Sequence, residues 1–338
     1  MKPVKIAQVG TGHDHALPTF ASLVKNRDLF DVVGIAEPSP HRTGALETDP
    51  LYRSVPHFTV EQLLELEGLE AVAVENEEHL STAVAQKFAQ RGVAVHLDKP
   101  GTADAESFER LIQTLRAGRI PLQMGYMYRY NPLVHRSLEL VRKGALGTIY
   151  AVEAQMSVRH PPEKRQWLSQ YRGGMMYYLG CHLVDLVLLF QGLPEKVVPL
   201  NCSTNTDGVR AEDYGFALFQ YPHGLSFVKT CASEYNGFAR RQLVICGSEG
   251  TIELKPLEIH CPGEGALLRT TGAAALEADG PDPWRDGSRQ WDSGIFDRYD
   301  AMMRAFAAYV RGEAENPYSY DYELALFQTI LKCCGVTK

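Results

Sequence analysis

The sequence predicts a two-domain chain, an α/β N-terminal domain followed by an α+β domain that carries a large, mainly antiparallel open sheet. Three observations predict it. The chain has 338 residues, more than a single hydrophobic core usually serves, since domains cluster at roughly 100–200 residues. Up to about residue 125, short and wholly apolar runs alternate with amphipathic stretches, the composition of parallel strands covered on both faces by crossover helices. Beyond Gly125 the extended segments lengthen and alternate in polarity, which marks a sheet with one packed face and one open face.

Taken in order, VKIAQVG is the first strand, residues 16–25 the first helix, DVVGIAE the second strand and residues 60–66 a further helix. LEAVAVE, the helix over 80–91, VAVHLD, the helix over 105–117 and IPLQMG continue the same rhythm. The first domain is therefore assigned to residues 1–125 and the second to 126–338, with the C-terminal helix packing back on the first. In the second domain, residues 148–157, 213–221, 224–232 and 241–246 read as alternating strands. A strongly apolar helix over 176–190 interrupts them, and helices over 296–311 and 322–333 close the chain. The stretch 263–293, rich in Gly, Pro and Asp, reads as a long surface excursion.

Composition narrows the function classes. With 45% hydrophobic and 22% charged residues the chain has the balance of an ordinary globular protein. The formal net charge of -7 comes without a Lys/Arg run, which argues against nucleic acid as a partner. The most apolar run, residues 183–190, contains Asp185 and falls far short of the roughly 18 residues of a membrane span. MKPVKIAQVG enters a strand at once and leaves no room for a secretory signal. The seven cysteines, an odd number lying mostly in apolar segments, read as reduced thiols rather than a disulfide framework. Cys333 and Cys334 are adjacent, so on a helix they point apart and read as packing residues; no metal site is expected. A cytoplasmic protein acting on a small molecule fits these features.

Several residues carry chemistry. Gly10-Thr11-Gly12-His13-Asp14-His15 follows the first strand and opens the first helix, where glycines permit a tight turn against a pyrophosphate and helix amides attract anions. His15 stands where the fingerprint has Gly or Ala, and a glycine turn of another α/β protein is the alternative. Glu37 ends the second strand, placed to accept hydrogen bonds from a ribose and to repel a 2′-phosphate, which favours NAD over NADP; His41 and Arg42 nearby soften that discrimination. Asp98-Lys99-Pro100 closes VAVHLD and sets Lys99 at the carboxyl edge of the parallel sheet, where such sheets gather ligands; punctuation of the strand explains it equally. Tyr178, His182 and Asp185, spaced i, i+4 and i+7, share one face of an otherwise apolar helix. A polar stripe there costs stability unless its members pair or serve a site, and a histidine is the natural general base, oriented by a carboxylate. Tyr128, Arg129, Tyr130, Arg159 and His160 are candidates to line a substrate cleft, with arginines suited to a carboxylate or a polyol, and Asp185 is read as a further substrate contact; surface solvation explains the first five as well.

Four segments in order, GTGHDH (10–15), DKP (98–100), YMYRYNP (126–132) and GGMMYYLGCHLVD (173–185), make the chain resemble the Gfo/Idh/MocA oxidoreductases over nearly its full length. The resemblance implies a Rossmann-type first domain that binds NAD, a second domain for substrate binding and oligomerisation, and Lys99 and His182 as the catalytic lysine and histidine. Asp185 matches the last aspartate of the family's GGxxxDxGxHxxD. Two positions depart. Tyr178 replaces the family's catalytic aspartate, so either its hydroxyl takes over, or Asp185 does, or the dehydrogenase chemistry is lost. Glu75-Asn76-Glu77 before His79 replaces a Thr-Pro-Asn type loop, which places Asn76 and His79 among the cofactor contacts in altered company. The implied activity is hydride transfer at a secondary alcohol of a sugar, polyol or related derivative, in a homodimer or homotetramer. The alternatives are a glycosidase-like enzyme that retains its NAD and an NAD(H)-binding sensor without turnover.

Overall fold

Runs of Val, Ile and Ala that are apolar on both sides form a six-stranded parallel sheet in the computed structural model, which describes residues 2–261, 266–277 and 287–336. The chain divides into two units, Met1–Tyr126 with Tyr299–Leu324, and Met127–Arg298 with Ala325–Lys338.

In the first unit the order is β1 (Val4–Val9), α1 (Ala16–Lys25), β2 (Phe30–Ala36), α2 (Gly44–Thr48), β3 (His57–Phe58), α3 (Val60–Leu64), β4 (Ala71–Val74), α4 (Glu78–Ala89), β5 (Ala94–Leu97), α5 (Ala105–Gly118) and β6 (Leu122–Met124). The strands lie in the order β3-β2-β1-β4-β5-β6, the doubly wound arrangement whose ligand crevice opens where the order reverses, between β1 and β4. All four residues of β4 are fully buried, as strands covered by helices on both faces require. Local signals start the helices. Thr59 and Gln62 form a reciprocal capping box at α3, and Asp104 accepts from the amides of Glu106 and Ser107 at α5.

The second unit runs through α6 (Pro132–Arg142), β7 (Ile149–Ser157), α7 (Pro162–Trp167), a π-helical turn (Met176–Gly180), α8 (Cys181–Gln191), β8 (Lys196–Pro199), β9 (Tyr214–Tyr221), β10 (Gly224–Cys231), β11 (Gln242–Gly247), β12 (Gly250–Leu254), β13 (Ile259–His260), β14 (Leu267–Arg269), β15 (Thr271–Leu276), β16 (Arg289–Asp292) and β17 (Phe296–Asp297). Eight strands form one open sheet, β16-β15-β12-β11-β7-β10-β9-β8, antiparallel throughout except for the parallel β7/β10 pair. Its inward positions, among them Ala217, Phe219, Leu243 and Ile245, are fully buried, and α8, apolar nearly all round, lies against β7 and β10.

The chain ends with α9 (Asp300–Val310) and α10 (Tyr320–Cys333). Within the first unit, Asp300 accepts from Ser22 Oγ at 2.8 Å and Lys25 Nζ at 2.6 Å, and Asn316 donates to the carbonyl of Leu122 at 2.6 Å. Among the described residues no helix is long and apolar enough to cross a membrane.

Three segments differ from the sequence reading. The stretch read as a surface excursion contributes β14, β15 and β16, while residues 263–265 and 278–286 of it lie outside the described residues. In β15 the buried positions are Gly272 and Ala274, pressed against β12, and residues so small give almost no hydrophobic alternation. The helix read over 176–190 opens with the π-helical turn, whose i→i+5 bonding inserts an extra residue. The helix read from Phe296 begins at Asp300, because Phe296 pairs in β17 with Leu268.

Candidate active site

The first unit brings three loops together at the carboxyl ends of β1, β4 and β2. Gly10 has φ 97°, and a side chain there would put its Cβ 2.3 Å from Asn76 Oδ1, so only glycine fits. The amides of Gly12 and His13 donate to the carbonyl of Glu75 at 3.0 and 3.1 Å, which ties the glycine loop to the loop after β4. Thr11 donates through its amide and its hydroxyl to Glu37 Oε2, at 2.7 and 2.5 Å, and Ser39 N donates to Glu37 Oε1 at 2.8 Å. Glu37 is thereby fixed at the end of β2. Asn76 is 2% exposed and neither atom of its side-chain amide has a hydrogen-bond partner. A buried amide left so is costly, and it fits a loop built to meet a polar ligand at the switch point. Asp14 and His79 are exposed on the same unit.

Asp98 organises the end of β5. It is 5% exposed, takes the amide of Lys99 on Oδ1 at 2.7 Å, and meets the Nδ1 atoms of His13 and of His15, the latter 3.1 Å from Oδ2. Burial opposes its ionisation, but the two imidazoles outweigh that and hold its carboxyl well below the usual range. His15 is pushed down to about 4, by burial against the opposing pull of Asp98. Glu75, fully buried, is pushed well above the carboxylate range by burial and then by Asp98. The donor atoms of His13, His15 and Asp98 lie within 4.8 Å of one another, a metal-ligand type of grouping absent from the sequence reading; here both imidazoles meet the carboxylate directly. Lys99 itself is 2% exposed.

In the second unit His182 is buried with its ring edge-on to Tyr128, the centroids 5.0 Å apart. Tyr128 donates to Glu258, and its oxygen accepts from Arg298 Nη2 at 2.8 Å and Arg241 Nη1 at 3.2 Å. Burial raises the Tyr128 phenol to about 12, with Glu258 adding to the rise and the arginines opposing it. Glu258 stays ionised below its usual range, because Arg298 and Arg241 overcome its burial. Arg129 and Asp185, both read as substrate contacts, are each 1% exposed and form an ion pair with each other.

Tyr178 stands in different company. It belongs to a cluster with Leu168, Met175, Val209, Ala211 and Ala232, and its ring meets Trp167 at 5.4 Å and His160 at 6.4 Å, with Lys164 Nζ 4.7 Å above it. Tyr178 lies in the π-helical turn, and His182 and Asp185 lie in α8 that follows it. Arg159 is exposed and stacks over Tyr235 at 3.7 Å. Glu75 is legible in the sequence only as part of the altered loop before His79, and Arg241, Glu258 and Arg298 are not legible there at all. Their partners lie up to 170 residues away, and no local pattern announces them.

Residues 4–126 match the family model described as oxidoreductase family, NAD-binding Rossmann fold, and residues 134–253 match the GFO/IDH/MocA C-terminal domain. The chain is similar to D-xylose 1-dehydrogenase (NADP(+)) 2 of Haloferax volcanii, at 28% identity over 57% of this chain and 59% of that protein. It is also similar to scyllo-inositol 2-dehydrogenase (NADP(+)) of Bacillus subtilis, at 24% identity over 57% of this chain and 54% of that protein. The matched region thus spans less than two thirds of either relative. In fold it resembles the aldose-aldose oxidoreductase of Caulobacter crescentus, with a TM-score of 0.78, 17% identity and 98% of each chain covered. It also resembles a 3-ketoreductase of Actinomadura kijaniata, with a TM-score of 0.77, 18% identity, and 97% of this chain and 96% of that chain covered.

Proposed function

This chain belongs to the GFO/IDH/MocA oxidoreductase family, and on that premise we propose that it is an NAD(H)-dependent dehydrogenase or reductase acting on a secondary alcohol of a sugar, polyol or sugar acid. The relatives named for D-xylose and scyllo-inositol put those substrate classes first. The observation that carries the reading is the buried His182 imidazole, set against Tyr128 on the helix whose Asp185 is locked by Arg129.

The nicotinamide ring supplies hydride acceptance or donation when the dinucleotide is bound. Gly10, Gly12 and Asn76 would shape its seat at the switch point, with Thr11 and Glu37 at the adenosine ribose. His182 takes the hydroxyl proton of the substrate on its imidazole as general base. Lys99, in the position of the family's catalytic lysine, would stabilise negative charge developing on a substrate oxygen. Tyr178, in the position of the family's aspartate, contributes its hydroxyl or walls the substrate pocket with Trp167. Arg129 and Asp185 hold the His182 helix in place, and Arg159 reaches the substrate from an exposed loop. The testing experiment is a panel of sugars, polyols and sugar acids followed by nicotinamide absorbance with NAD and with NADP. Turnover on none of them by a protein that binds the dinucleotide would overturn it.

A second reading, a variation found within the same family, is a glycosidase-like enzyme that keeps its NAD through the cycle. Retention of the dinucleotide through purification, with substrate cleaved and no net NADH released, would favour it.

A further inference from the structure

Glu77 is the N-cap residue of α4, yet its side chain makes no capping hydrogen bond. An N-cap carboxylate ordinarily accepts from the first free amides of its own helix. This one reaches instead to the loop after β2. Ser39 Oγ donates to Oε2 at 3.1 Å, His41 Nε2 lies 3.4 Å from the same oxygen, and Arg42 Nε lies 3.5 Å from Oε1. Behind it the residue is pressed on the glycine loop. A Cβ on Gly12 would come within 2.6 Å of Glu77 N and 2.7 Å of its Cγ.

The three residues that Glu77 gathers follow directly on Glu37, whose Oε1 takes the amide of Ser39 at 2.8 Å. In a doubly wound fold, the side chains just past the acid of the second strand are those that meet a 2′-phosphate, and an arginine there accommodates it. Arg42 and His41 are cations at that place, and they would be expected to weaken any preference for NAD. Both face Glu77. Burial opposes ionisation of Glu77, but Ser39, Arg42 and His41 keep its carboxyl below the usual range, so the neutralising charge is present at physiological pH.

We infer that Glu77 is a positioning residue for coenzyme specificity: it holds and neutralises Arg42 and His41, and so denies NADP(H) the phosphate contacts that the loop after β2 otherwise offers. This rests on the dinucleotide reading above. Glu37 sets the preference by repulsion at the ribose; Glu77 sets it by occupying the cations that would reverse it.

The test is direct titration of the protein with NAD and NADP, with thermal stability as a parallel readout. Glu77→Gln keeps the shape and the Ser39 hydrogen bond but removes the charge. It should tighten NADP binding by about tenfold, which corresponds to about 1.4 kcal/mol, and leave NAD within about threefold. Adding Arg42→Ala should cancel the gain, and Glu77→Asp should keep the wild-type ratio. An NADP/NAD ratio unchanged in Glu77→Gln, or a gain that survives Arg42→Ala, overturns the inference while leaving the NAD reading intact. If Glu77→Gln does not fold, Arg42→Ala alone decides. An arginine already neutralised contributes nothing, so a tenfold loss of NADP affinity on its removal would equally overturn it. A wild-type protein that binds neither dinucleotide overturns the coenzyme reading itself, and this inference with it.

Discussion

Arg129 grips Asp185 as a fork: Nε lies 3.1 and 2.9 Å from the two carboxylate oxygens and Nη2 lies 2.9 Å from the first. Asp185 is three residues beyond His182 on α8, and Arg129 directly follows the Tyr128 that His182 touches. The pair therefore fixes both sides of the His182 environment at once. Breaking a buried ion pair on one side leaves the partner charge uncompensated, which costs about 3–5 kcal/mol. Asp185→Asn should lower stability by that order, read from urea midpoints. Asp185→Leu combined with Arg129→Met should cost far less, and a double variant as unstable as the single would show that the pair is not what carries the cost.

Catalysis assigns separate outcomes to three side chains. His182→Ala and Lys99→Ala should each lower kcat by roughly 100-fold or more, as loss of a general base or of a charge stabiliser does, while NAD affinity barely changes. Tyr178→Phe removes only a hydroxyl. A loss near tenfold, about 1.4 kcal/mol in the barrier, places that hydroxyl in the proton relay; wild-type turnover makes Tyr178 a wall beside Trp167. Full activity of both His182→Ala and Lys99→Ala on a verified substrate would remove the assignment.

For the coenzyme, NAD(H) should bind more tightly than NADP(H), and Glu37→Ala should narrow the gap. Thr11 and Ser39 hold the Glu37 carboxylate, so the variant should also loosen the glycine loop and weaken NAD itself. Equal affinity for the two dinucleotides in the wild type would take Glu37 out of that role.

The His15 environment predicts a pH effect of definite sign. Burial keeps His15 neutral in the folded chain down to about 4, whereas the unfolded side chain takes up its proton near 6.5. Between those values the unfolded state binds more protons, so stability falls as pH falls through the window from 6.5 to 4. His13, Asp98, Lys99 and the Tyr299 ring surround the group. His15→Asn should therefore lose less stability than wild type between pH 7 and pH 5, by about 2 kcal/mol, measured as the difference of denaturation midpoints. Parallel curves for the two proteins would contradict it.

Assembly is predicted from the outer face of the eight-stranded sheet. Phe216 and Phe227 stack there at 5.5 Å while only partly covered, and Leu225 is 53% exposed. Apolar surface of that kind on neighbouring strands seeks a partner, and a second copy of the chain, in a dimer or tetramer, is the partner expected. Light scattering should give a multiple of 37.6 kDa, and Phe227→Glu should return the monomer. A wild-type monomer at micromolar concentration would contradict it.

The architecture of the first unit was legible because its signals are local. Four wholly apolar residues in β4 and amphipathic helices on either side can satisfy a core only as a covered parallel sheet. Gly10, Glu37 and Lys99 were legible for the same reason, since each sits at the end of a strand that the sequence itself outlines. The strands within 263–293 were not, because Gly272 and Ala274 bury so little surface that burial leaves no alternation to read.

The sequence by itself thus determined the doubly wound sheet, the positions of the strand-end residues and the apolar helix that bears His182, all of which follow from periodicity within a few turns of chain. Tertiary structure alone decided their partners. Asp98 gathers His15 across 83 residues of chain, and His13 beside it, and Tyr128 receives Glu258 and Arg298 from 130 and 170 residues away. A charge can be buried only when an opposite charge or a donor reaches it, and which one does is set by how the sheets bring distant loops together. The π-helical turn belongs to the same class. Its i→i+5 bonding has no signature in residues 176–180, and the cluster that holds Tyr178, with Met175, Val209 and Ala232, is gathered from separate parts of the chain.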